Sequence, residues 1–263
     1  MADLGAADPS TLASAMELFA PLARYHRLEV RGLDRIKPGP ALFVANHSGG
    51  LNPVDALFLF RYYEQRGYDD PIYVLGHDLL FEVPRFARTL RAIGALRAAP
   101  QQAQEILRAG RKLLVFPGGD LDNMRAFRHR REVVFGGRTG FVRLAREGGA
   151  PIVPVVSAGT HETFVVLTQG RRLARMMRLP ERLRVNSCPV ALAAPWGVVW
   201  GPGILLPYLP LPAKVTVEVG EPSSVDELSF QARDDAAVAE LVRTGMQATL
   251  ERLYEERRFP VLG

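Results

Sequence analysis

The chain has 263 residues, 48% of them apolar, with 33 basic residues against 28 acidic ones and a net charge of +5. That length and apolar content supply a sizeable buried core and exclude disorder as a general description. A lone Cys188 cannot form an internal disulfide, and the opening MADLGAADPS lacks the basic and apolar regions of a secretion signal, so the protein is expected on the cytosolic side.

In chain order, apolar residues at helical spacing from Leu12 to Tyr25, behind Asp8 and Ser10 as caps, predict an amphipathic first helix. Short apolar or β-branched runs then predict strands at 41–46, 71–75, 112–116, 151–156 and 214–219. Helical patterns lie between them at 53–66, 84–92, 100–109, 138–147 and 160–179, and a last helix is predicted over 234–257. Such alternation is that of an α/β fold, a mostly parallel sheet with helices on both faces. No repeat, low-complexity tract or linker divides the chain, so one domain over 1–263 is expected, with its core at about 28–222.

Among the basic residues only Lys37, Lys112 and Lys214 are lysine. A guanidinium forks onto phosphate oxygens better than an ammonium does, yet an arginine-favouring composition gives the same count, so position has to decide. One cluster holds Arg125, Arg128, Arg130 and Arg131 around His129. Another holds Arg171, Arg172, Arg175, Arg178, Arg182 and Arg184 against a single acid, Glu181, and by itself equals the net charge of the whole chain. Residues 185–213 follow without a charge; their prolines at 189, 195, 202, 207, 210 and 212 argue against one spanning helix. Trp196, Trp200 and Tyr208 are residue types that settle at a headgroup boundary, so this segment reads as re-entrant or interfacial, or else as an apolar flap or dimer contact.

Ligands of open parallel sheets bind where the strands' carboxyl ends open into loops. The run at 41–46 leads into His47-Ser48-Gly49-Gly50-Leu51-Asn52-Pro53-Val54-Asp55, in which a carboxylate can fix the tautomer of a histidine that acts as a general base. Ser48 is a poor nucleophile candidate, because adjacent side chains on an extended strand point apart. The run at 112–116 leads into Pro117-Gly118-Gly119-Asp120, a turn whose amides are candidates for holding an oxyanion. The run at 151–156 ends in Ser157-Ala158-Gly159-Thr160-His161-Glu162; His161 and Glu162 sit at the same edge, with a helix cap as the plainer reading. A zinc-protease helix fails, since its second histidine would fall at Val165. Nucleophile-elbow, Walker and dinucleotide fingerprints are all missing, and the arginines are not interleaved with a nucleic-acid recognition motif.

Four ordered blocks resemble the glycerolipid (lysophospholipid) acyltransferase superfamily, nearest its bacterial monoacylglycerol/diacylglycerol-acyltransferase-like branch. They are Asn46-His47 with Asp55, Gly94-Ala95-Leu96-Arg97, Phe116-Pro117-Gly118-Gly119 and Pro151-Ile152-Val153-Pro154-Val155. Gly140 to Ala145 and Val219-Gly220-Glu221-Pro222 extend the match. The resemblance implies transfer of a fatty acyl group from acyl-CoA, as co-substrate, to a hydroxyl of a glycerolipid-type acceptor. His47 and Asp55 would be catalytic, with Asn46, Arg97, Phe116, Pro117, Gly118, Gly119, Arg125 and Arg128 binding substrates. It implies no cofactor, no metal and no nucleic-acid partner, and peripheral association with the cytoplasmic side of a membrane. Two departures stand out. The usual His-x4-Asp spacing meets Asn52, with Asp55 eight residues after His47, so that either Asp55, the favoured partner as a carboxylate, or Asn52 orients His47, and Gly118 stands where phosphate-type members carry glutamate. A non-catalytic acyl-lipid-binding relative is the alternative, and the acceptor stays open among monoacylglycerol, diacylglycerol, lysophosphatidate or another alcohol.

Overall fold

The computed structural model describes residues 7–50, 53–76, 81, 82, 84–183, 185–259 and 262. The first helix, α1 (Pro9–Tyr25), starts where the Asp8 carboxylate accepts from the Thr11 amide at 2.7 Å, and it buries Leu12, Met16 and Ala23. The main sheet contains β1 (Glu29–Arg31), β2 (Ala41–Ala45), β3 (Ile72–Gly76), β4 (Ala95–Arg97), β5 (Lys112–Val115), β6 (Ile152–Ala158) and β10 (Thr216–Val219). Its spatial order is β1-β10-β6-β2-β5-β3-β4. From β6 to β4 all pairings are parallel, while β10 runs antiparallel to β6 and carries β1 parallel to itself.

Every residue of β2 and β5 is buried, as central strands covered by helices must be. The flanking helices are α2 (Leu57–Arg66), α3 (Pro84–Ala92), α4 (Pro100–Arg108), α6 (Gly140–Gly148) and α10 (Asp235–Glu255), with a short α5 (Gly119–Asn123) after β5 and α9 (Val225–Ser229) before α10. The five predicted strands and the predicted helices up to α6 are therefore present, with ends shifted by a few residues. Strands β1 and β4 were not foreseen: each has three residues, too few for an alternating pattern to show.

A second sheet corrects one expectation. In place of a helix over 160–179 the chain makes a 3₁₀ turn at Thr160–Glu162, then β7 (Val165–Thr168), then α7 (Arg171–Met176) and α8 (Leu179–Leu183). The β-branched pair Val165-Val166 favours the strand. Gly170, in a left-handed conformation at φ 62°, ends it; a Cβ there would lie 1.9 Å from the Cys188 carbonyl. Residues 185–213 contain β8 (Val190–Ala193) and β9 (Gly197–Trp200), which pair antiparallel in the order β7-β8-β9, followed by a 3₁₀ turn at Gly201–Leu205. The uncharged run is thus mostly a hairpin with its return segment. Among the described residues no helix is long and apolar enough to cross a membrane.

Candidate active site

The carboxyl ends of β2, β5 and β6 deliver three loops to one edge of the main sheet. Asn46, directly after β2, is buried, and its side chain clasps the backbone of Ser157 in β6: Nδ2 donates to the carbonyl at 3.0 Å and Oδ1 accepts from the amide at 2.8 Å. Both polar ends of Asn46 are thereby engaged within the protein, so it anchors the loop and does not face a substrate. His47 follows. Its Nδ1 lies 2.7 Å from Asp55 Oδ2, and the other oxygen of Asp55 accepts from the Ser48 amide at 2.6 Å. Asp55 comes from a 3₁₀ turn at Pro53–Ala56, and Asn52 lies outside the described residues.

The His47 ring stacks on Phe116 with centroids 4.2 Å apart and planes inclined by 17°. Its side chain keeps 19% exposure, whereas Ser48 is wholly buried. With Nδ1–H donated to Asp55, Nε2 is the ring nitrogen left with a lone pair. Burial pushes the imidazole down, but the Asp55 charge and hydrogen bond, together with the Asp122 charge, outweigh it and hold the ring above its ordinary 6.5.

Beneath the dyad sits an acid that the motifs did not single out. Asp122 accepts from the His47 amide at 2.6 Å and pairs with Arg125, and both side chains are buried. Burial pushes the Asp122 carboxyl up, while Arg125 and the His47 amide pull it back. Arg125 also donates to the Arg130 carbonyl at 3.3 Å. It therefore faces inward under the His47 loop, in a position that offers no contact to a substrate phosphate. Its sequence signal was an Asp-x-x-Arg spacing, readable only once α5 is known to end at Asn123 and the chain to turn back beside Asp122.

Gly118 is buried, and a Cβ there would lie 2.1 Å from the Val134 carbonyl oxygen and 2.3 Å from Asp122 Cβ. Gly119, at φ 50°, donates its amide to the Phe116 carbonyl at 3.1 Å, which uses up one of the two amides expected to hold an oxyanion. Among the described residues the Gly118 amide makes no such bond. Pro117 is buried and its carbonyl accepts from Arg138 at 3.0 Å. Arg97, at the end of β4, donates to the Phe81 carbonyl at 3.1 Å and pairs with Glu82 at 3.3 Å. Arg128 is exposed, and with His129, Gln169, Arg171 and Arg172 it lines a cleft of about 340 Å³. Gln169 ties that cleft to the loop after β5 through a 2.7 Å hydrogen bond to the Leu121 carbonyl.

Behind the loop, His161 and Glu162 are buried. A Cβ on Gly49 would come within 3.2 Å of His161 Nδ1, so the ring backs the catalytic turn. Burial, then the positive charges of Arg125 and His47, hold His161 well below 6.5, and it is neutral at physiological pH. Glu162 accepts from the Tyr254 hydroxyl at 3.0 Å and lies 3.2 Å from Arg130, a buried network that leads to α10.

Sequence comparison places this edge in context: the model of the acyltransferase family matches residues 27–158, just over half of the chain, taking in the loops after β2 and β5 and ending with β6. The chain belongs to the glycerolipid acyltransferase superfamily. An uncharacterized protein of Mycobacterium tuberculosis is 34% identical over 249 residues, which cover 90% of this chain and 66% of that protein. The mouse DGAT1/2-independent enzyme synthesizing storage lipids is 30% identical over 197 residues, 74% of this chain and 56% of that enzyme. The acyltransferase chain thus spans about two thirds or less of the length of these relatives. In fold it resembles the 1-acyl-sn-glycerophosphate acyltransferase PlsC of Thermotoga maritima, with a TM-score of 0.58 at 17% identity over 94% of this chain and 81% of that one. In this acyltransferase the third block is Phe-Pro-Gly-Gly for a steric reason. The volume a glutamate would need at 118 is filled by Asp122 and the Val134 backbone.

Proposed function

We propose that the protein moves a fatty acyl group from acyl-CoA to a hydroxyl of a glycerolipid-type acceptor, with His47 as general base. One observation carries this reading: an aspartate-oriented histidine, open on one side, at the carboxyl end of β2 and inside the superfamily's first block. Nε2 of His47 takes the acceptor's hydroxyl proton as its oxygen attacks the thioester carbonyl carbon, and Asp55 steadies the imidazolium. The tetrahedral intermediate collapses with cleavage of the carbon–sulfur bond. The imidazolium returns the proton to the departing thiolate, giving ester and free CoA. The unpartnered Gly118 amide is the candidate to hold the oxyanion. The cleft beside Arg128, Arg171 and Arg172 suits phosphate groups of the donor, because guanidinium forks match phosphate oxygens. A neutral acceptor, monoacylglycerol or diacylglycerol, fits the Pro-Gly-Gly turn, which adds no charge at position 118. Acceptors of this class reside in bilayers, so the reading includes peripheral association with the cytoplasmic side of a membrane.

The test is transfer of labelled acyl groups from acyl-CoA to a panel of acceptors, with thiol release followed in parallel. His47→Ala is expected to lower turnover by about 10²–10⁴-fold or more with an unchanged circular dichroism spectrum. Full turnover in that variant overturns the mechanism. Acyl-lipid that copurifies with a wild-type protein releasing no thiol would instead mark a binding protein of the same fold.

A further inference from the structure

The sheet built by β7, β8 and β9 has two apolar faces, and only one of them is used. Val166, Ala191, Ala193 and Val199 point inward and pack with Phe164 and Tyr208. On the other face Leu192 and Val198 stand directly opposite each other across the β8–β9 pair. Val198 and Trp200 follow the two-residue period of β9 and are 64% and 60% exposed, Trp196 in the turn just before the strand is 52% exposed, and Leu205 and Leu209 are exposed after β9. A contiguous apolar face of this kind marks an interaction surface.

Charge identifies the partner. The sheet ends where Thr168, Val190 and Trp200 are paired in register, and α7 leaves from that end. Arg175, Arg178 and Arg182 on and around α7 and α8 are all exposed, with Glu181 as the lone acid of that stretch. Tryptophans beside an arginine cluster match the boundary of an anionic bilayer, where indole rings settle at headgroup level and each cation near the surface adds attraction. We infer that the outer face of this small sheet is the surface by which the protein docks on an anionic lipid bilayer.

The inner face of the same sheet meets the catalytic loop. Phe164 and Tyr208 rings, 4.5 Å apart, close over Gly50, where a Cβ would lie 2.6 Å from each. Docking through the outer face therefore brings the His47 loop to within one sheet of the lipid from which an acceptor would come. This rests on the proposed function for the choice of acceptor; the docking itself needs neither His47 nor turnover.

Trp196 and Trp200 are the chain's two tryptophans, so intrinsic fluorescence reports on this face alone. The full chain is titrated with vesicles of phosphatidylcholine with and without phosphatidylglycerol, and then with brominated lipid. Expected are a blue shift and bromine quenching that are strongest with phosphatidylglycerol, and equal in His47→Ala. Trp200→Ser, read through Trp196, weakens partitioning roughly tenfold. Replacing Arg175, Arg178 and Arg182 by glutamine weakens it on the order of 100-fold on anionic vesicles at low salt, and far less on neutral ones. Absence of shift and quenching in a folded protein overturns the inference, as does partitioning indifferent to both sets of substitutions. A blue shift that follows protein concentration without vesicles, with dimers in light scattering, assigns the face to a second copy and also overturns it. Inactivity with intact docking would count against the proposed function alone.

Discussion

The two sheets of this protein use apolar residues in opposite ways. In the main sheet β2 and β5 bury every side chain, and what reaches the edge is polar and held from several sides: Asp55 and Asp122 on His47, Arg125 on Asp122, Asn46 on Ser157. In the small sheet the inner face is a modest apolar cluster, while the outer face leaves Trp196, Val198 and Trp200 in the open. The first arrangement spends its burial on fixing a few charges, and a change of one atom there leaves a charge stranded. The second holds only Trp196 on its outer face, whose indole N–H donates to the Pro207 carbonyl at 2.6 Å, so substitutions at Val198 and Trp200 are expected to leave the fold unmoved.

The sharpest way to break that contrast is through the dyad. Asp55→Asn is expected to lower kcat/KM by about 10²–10⁴-fold, because the imidazolium loses its counter-charge. The pH profile gives a second readout. The proposed mechanism needs neutral His47, whose raised value would put the acidic limb of the wild-type profile above 6.5, and Asp55→Asn should move that limb to lower pH. Stability runs the other way. A raised imidazole favours the folded state fully below 6.5 and loses that contribution as pH rises through the raised value, so wild type should lose more stability over this window than His47→Gln, as read by thermal denaturation. Next in size, Asp122→Asn strands a buried Arg125 and is expected to cost about 3–5 kcal/mol by denaturant titration. Adding Arg125→Met should restore part of it, since the pair is then removed together. Gly118→Ala should cost about 1–3 kcal/mol from crowding against Asp122 and Val134, with lower turnover because the His47 amide loses its support. The smallest effects compare two neighbours in β9. Inward Val199→Ala should cost about 1–3 kcal/mol, whereas outward Val198→Ser stays within about 0.5 kcal/mol in melting experiments. Equal losses at 198 and 199 would erase the distinction between the faces.

How much of this was legible follows from the same contrast. Continuous apolar runs bounded by glycine or proline mark buried parallel strands, so β2, β3, β5, β6 and β10 could be read directly, and with them the loops that carry His47 and Gly118. Asp55 was named from chemistry, although the loop between it and His47 is longer than the superfamily pattern. The small sheet was invisible because both of its faces are apolar. Val190 to Ala193 and Gly197 to Trp200 show no polar alternation, and an uncharged run with prolines resembles an interfacial segment as much as a hairpin. The buried role of Arg125 was hidden for a related reason. It sits beside Arg128, Arg130 and Arg131, and nothing in a cluster of arginines tells which one turns inward until Asp122 is placed beneath it.

Gly118 and Asp122 share one volume, and that has a consequence for descent. A lineage moving from this turn to the glutamate-bearing form cannot take the step at position 118 first, because the Cβ has no room. Nor can it begin by shrinking Asp122, since that abandons Arg125 in the interior and releases the His47 amide. Positions 118, 122 and 125 are packed as a single unit, so seating a glutamate at 118 would require three coordinated replacements where a motif comparison counts one.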